Sequence, residues 1–299
     1  MKTKISLLVL LFSVFLFSDI IGQMVILSGP EDASYYRFVE DINNVLGSGS
    51  DKPYINKKTQ GAMYNFNQIT DPKTPYKVAM LQSDLLFYMQ ASDMRNNTNK
   101  TKDIKVIIPL ANEEIHVVTK KSSNLNKLQD LDSTTVAIGN KNQGTYVTSS
   151  IMKDRSNMYW ISRNIHFDQA LKDLYLDEID AFIIVGSAPI SKLNLDPRAM
   201  TDELALVELE DFNDWAKYYD NDTIFKKDYK WLEKDVPTFG VKTVLIVNEA
   251  KLTDADRTEI TKLANGIKSK FDILKEQGHP KWKEIDLSDW DNSDWPMYK

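Results

Sequence analysis

Lys77-Val78-Ala79-Met80-Leu81-Gln82-Ser83-Asp84-Leu85-Leu86 changes character within ten residues. Lys77 to Leu81 is a short β-forming run, Gln82-Ser83-Asp84 is a polar break, and Leu85, Leu86 and Met89 begin an apolar helical face. A strand that hands over to a helix through small polar residues is half of a parallel crossover unit. The same grammar recurs upstream. Met24 to Ser28 is an apolar run ending in Ser28-Gly29-Pro30, and apolar positions 35, 38, 39, 42, 45 and 46 then follow helical spacing. Gly47-Ser48-Gly49-Ser50 stops that helix. A strand through Tyr54-Ile55-Asn56 leads to Thr59-Gln60-Gly61, where a second helix to Ile69 starts.

Downstream, the polar stretch Ser92 to Asp103 reads as a surface loop, and its Asn-x-Thr sequons at Asn96 and Asn99 as chance. Strands are expected at Ile104–Leu110, Ile115–Thr119, Thr134–Ile138, Tyr159–Ile161, Ile179–Val185, Ala205–Leu209 and Val241–Val247. Helices are expected from Tyr146 to about Asp154, from Phe167 to Asp177, near 189–193, and from Asp254 to Leu274. Trp215, Tyr218 and Tyr219 fall on a helical stripe read as core, and Val236-Pro237 breaks the pattern before the last strand. Alternating strands and helices predict an α/β fold with mostly parallel sheets. No internal repeat is present.

Composition narrows the function. The 299 residues are 42% hydrophobic and 27% charged, which is ordinary for a globular chain and excludes collagen, coiled coil and disorder. A formal net charge of −6 argues against a duplex nucleic-acid binder, which needs a basic face. The absence of cysteine removes disulfide scaffolds, zinc ribbons and thiol chemistry. Lys2 and Lys4 precede the apolar run Ile5–Phe17, which relaxes into Ser18-Asp19-Ile20-Ile21-Gly22-Gln23. That is a secretory signal pattern, expected to be cut after Gly22. The run is shorter than the roughly 20 residues a membrane span needs. With no lipid-acceptor Cys, the mature chain is expected to be free, soluble and periplasmic, with a net charge of −7 after loss of Lys2, Lys4 and Asp19.

Catalytic motifs are missing. His116, His166 and His279 lack metal-ligand spacing, and His116 sits in an apolar strand as a core residue. No nucleophile elbow, phosphate loop or zinc-protease helix occurs. Gly47-Ser48-Gly49 follows a helix and lacks the third glycine of a dinucleotide fingerprint. The tail Asp286–Asp294 lacks the glycine and closing glutamate of a calcium loop and reads as a solvated tail with packing tryptophans. No catalytic residue, metal or cofactor is expected. A carboxylate pair for glycoside chemistry stays open, because sequence spacing does not report spatial spacing.

What remains is a set of small polar clusters, most of them between a strand and a helix. They are Ser28-Gly29 through Ser34 and Tyr35, Thr59 to Gly61, Gln82-Ser83-Asp84, Gly139 through Gly144-Thr145, and Gly186-Ser187. The carboxyl ends of parallel strands are where ligand crevices form. Helix starts there offer unpaired N–H groups and a positive dipole end to an anion. One such cluster is an ordinary turn and cap; five together predict a polar anion site.

In order and content these clusters resemble the TAXI family of TRAP-transporter-associated extracytoplasmic solute receptors. Ile26-Leu27-Ser28-Gly29 with Ser34-Tyr35-Tyr36 is similar to its opening turn, and Thr59, Gly61 and Asn65 to its Thr-x-Gly…Asn segment. Gln82-Ser83-Asp84 is intact, and Glu114-Ile115-His116-Val117-Val118 is similar to its valine-rich strand. Leu128-Gln129-Asp130-Leu131, Val136-Ala137-Ile138-Gly139 and Asn142-Gln143-Gly144-Thr145 follow in the family's order. Ile179-Asp180-Ala181-Phe182, Gly186-Ser187-Ala188-Pro189, Val236-Pro237-Thr238 and His279-Pro280 complete the likeness, which runs from about residue 24 to 285. The chain departs from the family where Pro30-Glu31-Asp32-Ala33 replaces a Gly-rich turn and where two loops each lose a Gly. Glu31 and Asp32 put negative charge near the site.

The resemblance implies a two-lobe type II periplasmic-binding-protein fold, each lobe a mostly parallel sheet flanked by helices. Residues 24–120 and 239–299 would form lobe I and residues 121–238 lobe II, with crossings near 119–124 and 236–241. It implies a monomeric receptor that traps a small organic anion, a carboxylate or amino-acid-like molecule, for a TRAP-type permease, without chemistry or nucleic acid. Ser28, Gly29, Ser34, Tyr35, Thr59, Gln82, Ser83, Gly144, Thr145, Gly186 and Ser187 would form the site. A sensing protein of the same fold without a permease, or a secreted α/β enzyme, are the alternatives.

Overall fold

A computed structural model describes residues 23–194, 203–290 and 295–299. The expected leader, residues 1–22, lies outside the described residues, as do 291–294 of the acidic tail.

Three strand–helix units open the chain: Val25–Leu27 (β1) with Ser34–Leu46 (α1), Ile55–Lys57 (β2) with Ala62–Thr70 (α2), and Val78–Gln82 (β3) with Ser83–Asn96 (α3). The long strand Ile104–Lys120 (β4) follows. Thr135–Ala137 (β5) with Gly144–Ser156 (α4) and Ile161–Arg163 (β6) with Phe167–Tyr175 (α5) repeat the unit. Ala181–Gly186 (β7), Leu204–Leu206 (β8), Asp220–Ile224 (β9) and a second long strand, Val236–Asn248 (β10), come next. Asp254–Ser269 (α6) and Phe271–Gln277 (α7) close the helices. Among the described residues no helix is long and apolar enough to cross a membrane.

The strand order is β2-β1-β3-β10-β4-β7-β5-β6, with β8 beside β4 and β9 beside β10. The outer triplets β2-β1-β3 and β6-β5-β7 are parallel, as the crossover units require. The two long antiparallel strands join them. β4 pairs with β10 from Ile104 to Glu114 and with β7 from Glu114 to Thr119, so it changes partner at Glu114. β10 pairs with β9 up to Gly240 and with β3 from Thr243.

Apolar packing follows the same change of partner. One cluster gathers Ile26, Phe38, Leu81, Val106, Ile246, Leu263 and Trp282, with the Phe38 and Trp282 rings edge-on at 5.1 Å. Two others use Ile115, Val136, Ile183, Trp215 and Phe239, and Val118, Phe182, Leu204, Tyr229 and Trp231. Each large side chain buried this way contributes about 1.5–3 kcal/mol.

Several boundaries differ from the sequence reading, each for a physical reason. The supposed loop 92–103 begins as helix, because α3 runs to Asn96 and ends at Asn97 in the left-handed region (φ 51°). The buried Asp93 organises that end by accepting from the Thr101 N–H at 2.8 Å and the Thr101 hydroxyl at 2.7 Å. The strands expected at 104–110 and 115–119 are one, since Glu113 and Glu114 stay in register opposite Val241 and Gly240. Pro237 lies inside β10 opposite Thr223 rather than before it. The helix near 189–193 is only a 3-10 turn, Ser191–Leu193. Asn213 and Asp214, both at positive φ, turn the chain at the Trp215 stripe, so it is not helical. Trp215 and Tyr219 are core, but Tyr218 is exposed and stacks on Phe87 at 4.8 Å. The last long helix is broken at Lys270 into α6 and α7.

Candidate ligand-binding cavity

The ends of the parallel strands converge on one cavity of about 380 Å³. Residues 33–35 at the start of α1, 60–62 before α2, Gln82 at the end of β3, 143–145 at the start of α4 and 184–190 after β7 line it, with Glu113 from β4. Ala33 and Gln143 occupy the cap positions of α1 and α4 with extended backbone and no capping side chain. The first-turn N–H groups of both helices therefore lack a side-chain acceptor. Close approach explains two glycines. A Cβ on Gly144 would lie 1.4 Å from the Gln82 Oε1, and Gly61, at φ 128°, would carry one 3.3 Å from the Gln143 Cα.

Of the eleven residues expected at the site, Ser34, Tyr35, Gln82, Gly144, Thr145, Gly186 and Ser187 line this cavity. Ser28, Gly29, Thr59 and Ser83 do not. Ser28 is fully buried, and its hydroxyl donates to the Lys57 carbonyl at 3.2 Å. Its own carbonyl accepts from the Thr59 hydroxyl at 2.9 Å and the Asn65 amide at 2.7 Å. The polar groups that marked that cluster are spent on fixing the loop behind the wall. Gly29 packs on Tyr35, where a Cβ would be in ordinary contact at 3.5 Å. Ser83 is buried at the first position of α3. The Thr145 Oγ1 accepts the Val185 N–H at 3.1 Å and keeps its own proton to donate.

Glu113 was not expected. It is 5% exposed and lines the cavity, where its carboxylate accepts from the Ser34 hydroxyl and faces the Tyr35 hydroxyl. Burial pushes it up to about 7, against the pull of Ser34 and Tyr35; the Glu114 charge adds to the rise and Lys281 opposes it. Burial pushes its neighbour Glu114 up to about 7 as well, against the pull of Lys281, but Glu114 has a partner. Glu114 forms a buried ion pair with Lys281 and accepts the Ala188 N–H at 2.8 Å. Burial works against the Lys281 charge, yet Glu114 and Glu284 outweigh it and hold Lys281 above the usual lysine range.

Other charges reach the rim. Lys192 pairs with Asp168 at 3.1 Å and Asp32 at 3.6 Å, and Arg37 is exposed with no ion pair among the described residues. Asp32 thus meets a cation of its own chain, and Glu31 meets Lys58 at 3.3 Å. His279 lines the cavity edge-on to Phe38, and burial holds it below the ordinary histidine range. His116 does not line it. Its ring bonds the Glu114 carbonyl at 3.0 Å and the Tyr229 hydroxyl at 2.8 Å, and burial pushes it down to about 4, as befits a core residue. Glu113, Phe167 and Lys192 line the cavity without having been marked for the site in the sequence, and Gln143 was marked only as part of its loop. The signal for Glu113 was available: two adjacent acids inside an apolar run long enough to be one strand.

The fold is that of the type II periplasmic-binding proteins. A profile of the NMT1-like family matches residues 26–294, and the chain belongs to that family. No curated protein matches the sequence. Among solved structures, the Streptococcus mutans structure described for glutathione import through GshT has a TM-score of 0.51 at 12% identity, covering 92% of this chain and 100% of that one. An ABC uptake substrate-binding protein from Streptococcus pneumoniae with bound histidine has a TM-score of 0.50 at 13% identity, covering 89% and 94%. The effector-binding domain of QuiR in complex with shikimate scores 0.50 at 12% identity, covering 83% and 98%. At these identities the likeness establishes the fold.

Proposed function

We propose that this chain is an extracytoplasmic solute-binding receptor of the TAXI kind that captures a small organic anion and passes it to a TRAP-type permease. The observation that carries the reading is the cavity itself, where the uncapped start of α4 meets small polar residues from separate strand ends. Gly144 and Thr145 receive the anionic group through backbone N–H groups and the Thr145 hydroxyl, in the positive field of the helix start. Ser34, Tyr35, Gln82, Gly186 and Ser187 complete the contacts. Residues 24–120 with 239–299 act as one lobe and 121–238 as the other; separate apolar clusters support two units, with Ile115, Val117, Val118, Phe239 and Val241 packing on the second, so the change of unit falls nearer Glu114 and Gly240. The crossings in β4 and β10 are the hinge. A ligand closes the lobes only by the contacts it gains in the closed form.

The chain works as a monomer in the periplasm after removal of residues 1–22, and it performs no chemistry. The ligands named for its structural neighbours, histidine and shikimate, are small polar acids and agree in kind with this cavity. Mass spectrometry of the natively purified protein tests the proposal. One small acid is expected, released unaltered on denaturation. Recovery of a reaction product from an added compound would replace the receptor with an enzyme.

A further inference from the structure

Lys281 is a lysine only 4% exposed, in the 3-10 turn Pro280–Glu284 near the end of the chain. That turn is fastened to α1, because the Asp41 carboxylate accepts the His279 N–H at 2.7 Å and the Trp282 indole N–H at 2.8 Å. From there Lys281 reaches the buried Glu114 and, at 2.6 Å, the outer Glu284. Glu114 is the residue at which β4 leaves β10 for β7. Its two carboxylate oxygens are divided. Oε1 accepts from the Lys281 ammonium and Oε2 from the Ala188 N–H at 2.8 Å, so one side chain ties the end of the chain to the loop after β7.

That loop is cavity wall. Gly186, Ser187, Pro189 and Ile190 line the cavity, and Ala188 stands among them. The loop runs from the end of β7 to the turn at Ser191, and two side chains hold it from behind. Glu114 holds Ala188, and the Tyr229 hydroxyl accepts the Ile190 N–H at 2.8 Å. A buried ion pair is a poor source of stability, since desolvation cancels much of its attraction. It fixes geometry well, because charge-assisted hydrogen bonds are short and strong. Without Lys281 the Glu114 carboxylate must take a proton or turn toward water, and either weakens its bond to Ala188.

We propose that Lys281 is a positioning residue: acting through Glu114, it sets where the Gly186–Ile190 wall of the cavity stands. Lys281 does not itself line the cavity. The proposal rests on the receptor reading only for its use, since in a receptor the end of the chain then shapes the contacts a solute makes with Gly186 and Ser187.

Residue-resolved amide exchange on the ligand-free chain tests this. In the wild type the Ala188 amide should be protected although it lies in a loop, and exchange as fast as in exposed loops overturns the proposal. Lys281→Met should speed exchange at Ala188 by about 10-fold or more, the loss of a hydrogen bond to a charged group. Ile190, held by Tyr229, and the β5 and β6 amides should move far less. Lys281→Arg should restore protection at Ala188. Should Lys281→Met fail to fold, Lys281→Gln, which keeps a donor without the charge, is expected to give the same local rise. A uniform rise across the chain, or an unchanged Ala188, reduces Lys281 to a packing residue and overturns the proposal. Each of these results leaves the receptor reading standing, whereas a reaction product recovered from an added compound would remove that reading and leave the role of Lys281 intact.

Discussion

Two buried carboxylates, Asp84 and Glu113, show how the same chemistry serves different ends. Asp84, in the first turn of α3, is fully buried and accepts from the Thr148 hydroxyl of α4 at 2.7 Å and the Tyr219 hydroxyl at 3.0 Å. It does not line the cavity. Glu113 is almost as buried and also receives hydroxyls, but one side of it faces the cavity. Asp84 therefore ties α3 to α4 and to the Tyr219 turn, while Glu113 is left with a valence for something that comes and goes. A buried acid becomes functional when its last partner is missing, not when it is merely buried.

The largest effect expected from this contrast is on stability at Asp84. Asp84→Ala leaves the Thr148 and Tyr219 hydroxyls unpaired and should cost about 2–4 kcal/mol, measured by urea unfolding. The seven cavity residues would be untouched, so a variant that still folds should bind its solute as before. A loss below about 0.5 kcal/mol would place Asp84 outside the stabilising network. Next comes Gly144→Ala. Its methyl group would overlap Gln82 Oε1, so Gln82 must leave its place on the wall. Solute affinity should drop by about 1–3 kcal/mol in calorimetry, with a smaller change in unfolding. Equal affinity would remove Gln82 and the α4 start from the site.

A smaller effect separates the two acids by pH. Burial pushes Asp84 up to about 6 and Glu113 up to about 7, both above ordinary carboxylates. Between about pH 4 and 7 the ligand-free folded chain holds protons that the unfolded chain has released, so these groups make stability fall as pH rises. His116, pushed down to about 4, acts oppositely, because the folded chain refuses a proton that the unfolded chain takes below about pH 6.5. Two carboxylates against one histidine leave a net decline toward neutrality from these groups. Glu113→Gln should flatten that slope, most of all between pH 5 and 7, in unfolding curves recorded without ligand. An unchanged slope would mean that Glu113 ionises as freely in the folded chain as in the unfolded one.

The outer units of the fold were legible because each carries its own period: the 3–4 spacing of α1 after β1, and the apolar run of β3 opening into α3. What resisted reading was structure held by distant partners. Asp93 folds residues 98–101 around itself, and β4 runs on through Glu113 and Glu114 because β10 and β7 pair with it. The site was legible in part for the same reason. Gly144 and Gln82 carry local signatures of a strand end or helix start, but Ser28 and Thr59 carry the same signatures and turn inward, Ser28 to the Lys57 carbonyl and Thr59 to the Ser28 carbonyl. Sequence places small polar residues after a strand; only packing decides which of them face the cavity.

If two lobes close on a small solute between them, the molecule must compact when that solute binds. Small-angle scattering with and without the acid recovered from the native protein measures this. Binding should shrink the radius of gyration, and Gly144→Ala should bind more weakly and therefore need more solute for the same compaction. A solute held tightly with no compaction, or one returned chemically altered, would contradict lobe closure.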